Sequence, residues 1–158
     1  MNTKARIFVS RWVPVITWML LIFAGSTDVL SAEHTSRYLI PFLRWLDPNI
    51  SYQAIVVIHF TLRKVGHFTE YAILAALLWR ALRGTFTALS RKLVSASTFL
   101  VAASFAASDE FHQSFVGSRT ASAHDVMIDC IGAAAAILIC VIISRARVEP
   151  SPSATFGS

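Results

Sequence analysis

The stretch Ser108–Asp129, SDEFHQSFVGSRTASAHDVMID, decides how this chain must be read. It holds Asp109, Glu110, His112, Gln113, Arg119, His124, Asp125 and Asp129, and long apolar runs lie on both sides of it. Ionisable groups beside membrane-crossing segments are costly to hold there, and they mark functional or tightly paired positions. The surrounding sequence must say what offsets that cost.

The composition sets the solvent. The 158-residue chain is 55% hydrophobic and 15% charged, with a mean hydropathy of +0.59. A soluble domain is about 25% charged. A single integral membrane domain with short loops is therefore expected. The formal charge is +5, but the basic residues flank apolar runs and form no stripe. They read as topology signals rather than a nucleic-acid surface. Cys130 and Cys140 lie in the last apolar run. Ten helical residues separate them by about 15 Å, beyond the roughly 7 Å Cα limit of a disulfide. They are expected to be apolar thiols.

Working outward, the first apolar run is Trp12 to Thr27, with Pro14 expected in its first turn. It is read as an uncleaved span rather than a signal peptide. Tyr38, Phe42 and Trp45 then recur at i, i+4 and i+7, between Arg37 and Arg44. This pattern predicts a short helix lying in the membrane interface, with Pro41 tolerable only in its first turn. Asp47-Pro48-Asn49 is a turn. Ser51 to Leu62 is expected to continue into Lys64–Leu82 as one long helix. The third span runs from about Leu93 through Gln113, and the fourth from Asp125 to Ser144. Gly132 and Ala136 form a small-xxx-small pair of the type that lets membrane helices approach closely. The expected fold is all-α: a four-span membrane domain over residues 1–147, with an interfacial helix in the first outer loop and a disordered tail at 148–158.

Orientation follows from the basic residues. With both termini cytoplasmic, nine Lys and Arg lie inside and five outside, while eight of the nine acidic residues lie outside. The opening stretch is then expected on the extracytoplasmic side. Lys64, His67 and Tyr71 share one face of the second span, with Glu70 beside them. Asp109, Glu110, His112 and Gln113 end the third span. Asp125 and Asp129 begin the fourth, and the loop adds Arg119 and His124. These groups are expected to converge.

Three uses of such a cluster stay open. It could be a structural ion-pair and hydrogen-bond network. It could be a pocket for the polar head of an amphiphile, such as a glycolipid. It could be catalytic, as a membrane-embedded and metal-dependent hydrolase of a lipid-linked substrate. No HExxH or HxxxH spacing occurs, so no metal ligand, cofactor or catalytic residue is assigned from spacing. His34 and His59 read as ordinary loop or interface residues.

The chain resembles the VanZ-like family of bacterial membrane proteins. The resemblance rests on Lys64-Val65-Gly66-His67-Phe68-Thr69-Glu70-Tyr71, on Ser108-Asp109-Glu110-Phe111-His112-Gln113-Ser114-Phe115, and on Arg119 followed by Asp125-Val126-Met127-Ile128-Asp129 and Gly132. Where the family often has a proline before the arginine, this loop reads Val116-Gly117-Ser118-Arg119. The resemblance implies a polytopic envelope protein whose polar signature is Lys64, His67, Glu70, Tyr71, Asp109, Glu110, His112, Gln113, Arg119, Asp125 and Asp129. It also implies a link to teicoplanin-type glycopeptide resistance, with membrane lipids and a lipid-linked envelope component as partners.

Overall fold

The computed structural model describes residues 3–26, 32–115 and 122–146. Arg119 and the segment 148–158 lie outside the described residues. Among the described residues there are five helices and no strand: α1 (Thr3–Gly25), α2 (Ala32–Leu46), α3 (Tyr52–Thr85), α4 (Arg91–Gln113) and α5 (Ala123–Ala146). Two of them, α1 and α5, are long and apolar enough to cross a membrane. The helices α3 and α4 do not meet that measure. They carry much of the polar cluster together with Arg63, Arg80 and a run of serines, which lower their average apolarity. Four membrane crossings are therefore a matter for the functional proposal below.

The long helix α3 is the hub, packing against each of the other four. Its 34 residues extend about 50 Å at about 1.5 Å per residue. It starts cleanly because Ser51 caps it: the Ser51 Oγ accepts from the Ala54 N–H at 3.1 Å, a bond that satisfies one of the donors a helix start leaves open. Ser90 does the same for α4, accepting from Leu93 at 3.2 Å. The core lies along α3, with Tyr71, Leu74, Ala75 and Leu78 meeting Val15 and Ile22 of α1, Ala102 and Ala106 of α4, and Ala133 and Ile137 of α5. Outward faces are apolar too. Leu20, Leu100, Ile131 and Leu138 are all more than half exposed. In water an apolar surface this extensive would be a liability; against lipid it costs nothing.

Side-chain bonds hold α1 to the bundle along its length. The Trp12 indole donates to Thr85 at 3.0 Å, and the Trp18 indole donates to the Glu70 carbonyl at 2.9 Å. Ser26, one residue past the helix end, donates to Asp109 at 2.6 Å.

Both prolines differ from expectation. Because α1 begins at Thr3, Pro14 sits well inside it. It has no N–H to give the Ser10 carbonyl, and the Arg80 guanidinium reaches that oxygen at 3.4 Å instead. Pro41 is likewise interior, because the polar segment before Tyr38 is helical. It frees the carbonyl of Arg37, an exposed residue able to meet water. The aromatic stripe of α2 faces outward, with Tyr38 and Trp45 each about three-quarters exposed, while Leu43 packs inward. Amphipathic helices lying in a membrane interface have this arrangement.

The α3 and α5 backbones approach closely at Gly132. A Cβ added at Gly132 would lie 2.2 Å from the Phe68 carbonyl oxygen, so only glycine fits. Gly66, on α3, has no such neighbour within 4 Å. Gly132→Ala is expected to lower stability by about 1–3 kcal/mol through overpacking. Gly66→Ala should raise it by about 0.5–1 kcal/mol through helix propensity. Thermal unfolding of both variants in one detergent checks the pair, and equal effects would contradict this packing.

Candidate functional site

The polar residues do converge at one end of the bundle, in two adjoining groups. The first joins α3 to α5. Asp125 and Asp129 stand one turn apart on α5, and each meets a base one turn apart on α3. The Lys64 ammonium donates to Asp125 Oδ1, and the Arg63 guanidinium approaches the other oxygen of the same carboxylate at 3.9 Å. The His67 Nδ1 is 3.2 Å from Asp129 Oδ1. Lys64 also lies over the Phe60 ring, 4.9 Å from its centroid. His67, Asp125 and Asp129 are all buried.

Glu110 brings α4 into this group. Its Oε2 accepts the Ser122 backbone N–H at 2.8 Å, which pins the start of α5 to the end of α4. Ser122 in turn accepts from the His124 N–H at 3.2 Å, so one hydroxyl and one carboxylate together cap the helix entrance.

The second group joins α4 to α1. Gln113 donates to Asp109 at 3.1 Å and to Ser26 at 3.3 Å, closing a triangle with the Ser26–Asp109 bond. Tyr71 lies between the groups: Asp109 and Glu110 on α4, Asp129 on α5 and Glu70 on α3 all act electrostatically on its hydroxyl. Its ring leans on Phe105 at 6.2 Å.

Ten of the eleven expected site residues are described, and they do not play equal parts. His112 turns away from the carboxylates and packs on the Phe23 ring at 4.4 Å. Glu70 is half buried. Three residues join the site without having been expected there. Ser26 has no periodic signal that would mark it. Arg63 was read as a flank of the span. His59 lines a cavity of about 370 Å³ between α2 and α3, together with Ile40, Ile55, Val56, Phe60 and Arg63.

Several buried acceptors are left over. Asp109 Oδ1, Glu110 Oε1 and Asp129 Oδ2 have no hydrogen-bond partner among the described residues, nor do the Tyr71 hydroxyl and the His59 Nε2. Native interiors satisfy the large majority of such atoms.

A family model, VanZ/LLP1, matches residues 11–144, which take in the whole cluster and all the helices that build it. The chain belongs to the VanZ/LLP1 family. Comparison with curated proteins returned no match, and comparison with solved structures returned none either. The match to VanZ/LLP1 together with the two membrane-length helices marks a membrane protein. Within this VanZ/LLP1 chain the cluster is built from every helix except α2, which instead walls the adjoining cavity.

The pairing makes a quantitative prediction. Lys64→Met leaves Asp125 buried with only the distant Arg63, and breaking a buried pair from one side costs about 3–5 kcal/mol. The partial exposure of Lys64 puts the expected loss at the low end. Replacing both partners, as Lys64→Met with Asp125→Leu, is expected to cost clearly less than the two single losses added. Unfolding free energies of the three variants in detergent give the coupling directly; additive losses would mean that the pair is not energetically real.

Proposed function

We propose that this chain is an inner-membrane protein whose four longest helices cross the bilayer and whose extracytoplasmic polar chamber binds the head group of an envelope amphiphile, such as a glycolipid or a lipid-linked glycopeptide. One observation carries the reading. The cavity between α2 and α3 is lined mainly by apolar side chains, Ile40, Ile55, Val56 and Phe60, with Arg63, His59 and Ser36 among its polar members. Arg63 is also the residue that reaches Asp125 in the buried cluster. An apolar cleft that ends at a convergent polar group suits a molecule with one greasy and one hydrophilic part. Its volume lies at the small end of the range for ligand pockets, about 300–1,000 Å³. It would take the junction of chain and head group rather than a whole lipid.

The chemistry of the chamber is consistent with a hydroxyl-rich or cationic head group. The leftover carboxylate oxygens are acceptors in need of donors, and sugar hydroxyls and ammonium groups are donors. The outward-facing aromatics of α2 support its lying at the membrane surface beside the cleft. The excess of Lys and Arg at the other end of the bundle supports cytoplasmic termini. The bonds from Trp18 and Ser26 into the bundle favour α1 as a retained span. Protection of envelope precursors from teicoplanin-type glycopeptides is the biological setting that the VanZ-like resemblance suggests.

Two measurements test this reading. The first is topology. With Cys130→Ala and Cys140→Ala as background, Asp47→Cys should react with a membrane-impermeant maleimide in intact cells, and Thr87→Cys only after lysis. The opposite pattern would put the chamber on the wrong side. The second is ligand content. Native mass spectrometry of the protein from its own membrane should show a bound amphiphile. Ile55→Trp, which fills the cleft, and Arg63→Ala should each lower occupancy about tenfold, the factor that about 1.4 kcal/mol represents. Unchanged occupancy in both variants would remove the cleft from the account.

A further inference from the structure

Three side chains from three different helices offer ligand atoms to a single point. His67 of α3, Glu110 of α4 and Asp125 of α5 each present one donor atom, and these atoms all lie within 4.8 Å of one another. All three residues are more than nine-tenths buried. The bonding around them leaves the right atoms available. Glu110 commits Oε2 to the Ser122 N–H, and its Oε1 has no partner among the described residues. His67 uses Nδ1 toward Asp129, which leaves Nε2 as the ring nitrogen to offer a cation. Both neighbouring cations, Lys64 and Arg63, are spent on Asp125, and neither is paired with Glu110.

We propose that His67, Glu110 and Asp125 hold a divalent cation of the Zn2+ or Mn2+ class, with Asp129 as a positioning residue. One imidazole and two carboxylates suit these ions. An all-oxygen set would be expected for Ca2+ or Mg2+. Metal-bound histidines almost always donate their other ring N–H to a carboxylate or carbonyl, which fixes the tautomer and the ring plane. The Asp129–His67 contact is such a bond. Donors on one ion stand at most about 4.2 Å apart, twice a bond of about 2.1 Å, so small side-chain rotations would close the set. Lys64 is the group the cation displaces: its stem is flexible and its side chain is 22% exposed, so the ammonium can leave Asp125 for water. The proposal is independent of whether an amphiphile binds.

The test uses the full chain, purified in detergent without chelator and analysed for metal. One Zn2+ or Mn2+ per chain is expected, with a fall in thermal midpoint after chelation and recovery when Mn2+ or Zn2+ is restored. Glu110→Gln should weaken Mn2+ binding at least tenfold. Asp129→Asn keeps all three ligands and should weaken it by about 10–100-fold. Asp109→Asn, in the other group, should leave it unchanged. The chelation and reloading arm needs only the wild-type protein, so it holds even if a variant fails to fold. A wild type that holds no metal, and whose midpoint neither ion moves, overturns the proposal. So does binding that is equal in the wild type, Glu110→Gln and Asp129→Asn, which would mark an adventitious ion only. A chelator-insensitive protein that Arg119→Gln unfolds also overturns it, because that guanidinium would then be the missing counter-charge.

Discussion

The contact of Lys64 with Asp125, between α3 and α5, is the interaction on which the rest of the arrangement depends. Neither charge is tolerable alone in an apolar bundle. Their meeting fixes which face of α5 looks at α3 and how far along α3 it does so. Once that is set, the residues one turn further on, His67 and Asp129, fall opposite each other without additional constraint. A helix pair bound only by apolar contacts in lipid could slide or rotate, since lipid and side chains are nearly interchangeable solvents for it. Charge supplies the register that hydrophobicity cannot.

The same register depends on a missing side chain. Gly132 lies three residues beyond Asp129, and Phe68 directly follows His67. The near-contact of Gly132 with the Phe68 carbonyl therefore brings the two backbones together immediately beside the histidine–aspartate contact. With a bulkier residue there, the helices would separate where the short His67 side chain must reach across. Small residues continue the approach below, at Ala75 on α3 and Ala133 and Ala136 on α5. Close packing and polar convergence are thus one feature of the helix pair, not two.

Much of this was legible in the sequence. The four-residue and three-residue steps of Asp125, Asp129 and Gly132, and of Lys64, His67 and Tyr71, place each set on one helical face wherever the helix sits. The continuity of α3 could be read because no proline, and of the glycines a lone Gly66, separates Ser51 from Leu82. The rotation of α4 could not be read. Asp109, His112 and Gln113 share a face broad enough to touch two neighbours, and only packing decided that His112 meets Phe23 rather than His67. Ser26 was invisible for a simpler reason: a lone serine after an apolar run has no pattern, and its importance comes entirely from Asp109, 83 residues away. His59 reads in sequence as an ordinary loop or interface residue and Arg63 as a basic flank of an apolar run, because α2 had to be placed before a cavity existed for them to line. Pro14 lies deeper than expected because the helix begins at Thr3, ahead of the apolar run that starts at Trp12.

Buried polar clusters in a membrane bundle can be braces or sites, and the two differ in how completely their bonds close. A brace that stabilises by itself uses every lone pair, because an idle acceptor in a low-dielectric interior costs more than an apolar residue in its place. The triangle of Ser26, Asp109 and Gln113 makes three bonds among three residues, yet Asp109 Oδ1 and Gln113 Oε1 keep no partner among the described residues. The group around His67 leaves acceptors over as well, and there they lie beside an imidazole. Glu110 and Asp129 each keep one oxygen idle among the described residues, and the cations present are concentrated on Asp125. An arrangement of this kind holds its geometry through the close approach at Gly132 and through a cation on Asp125, here the Lys64 ammonium, while leaving acceptors over. Stability comes from the pair and the close approach, and the unspent oxygens are what the fold makes available to something else.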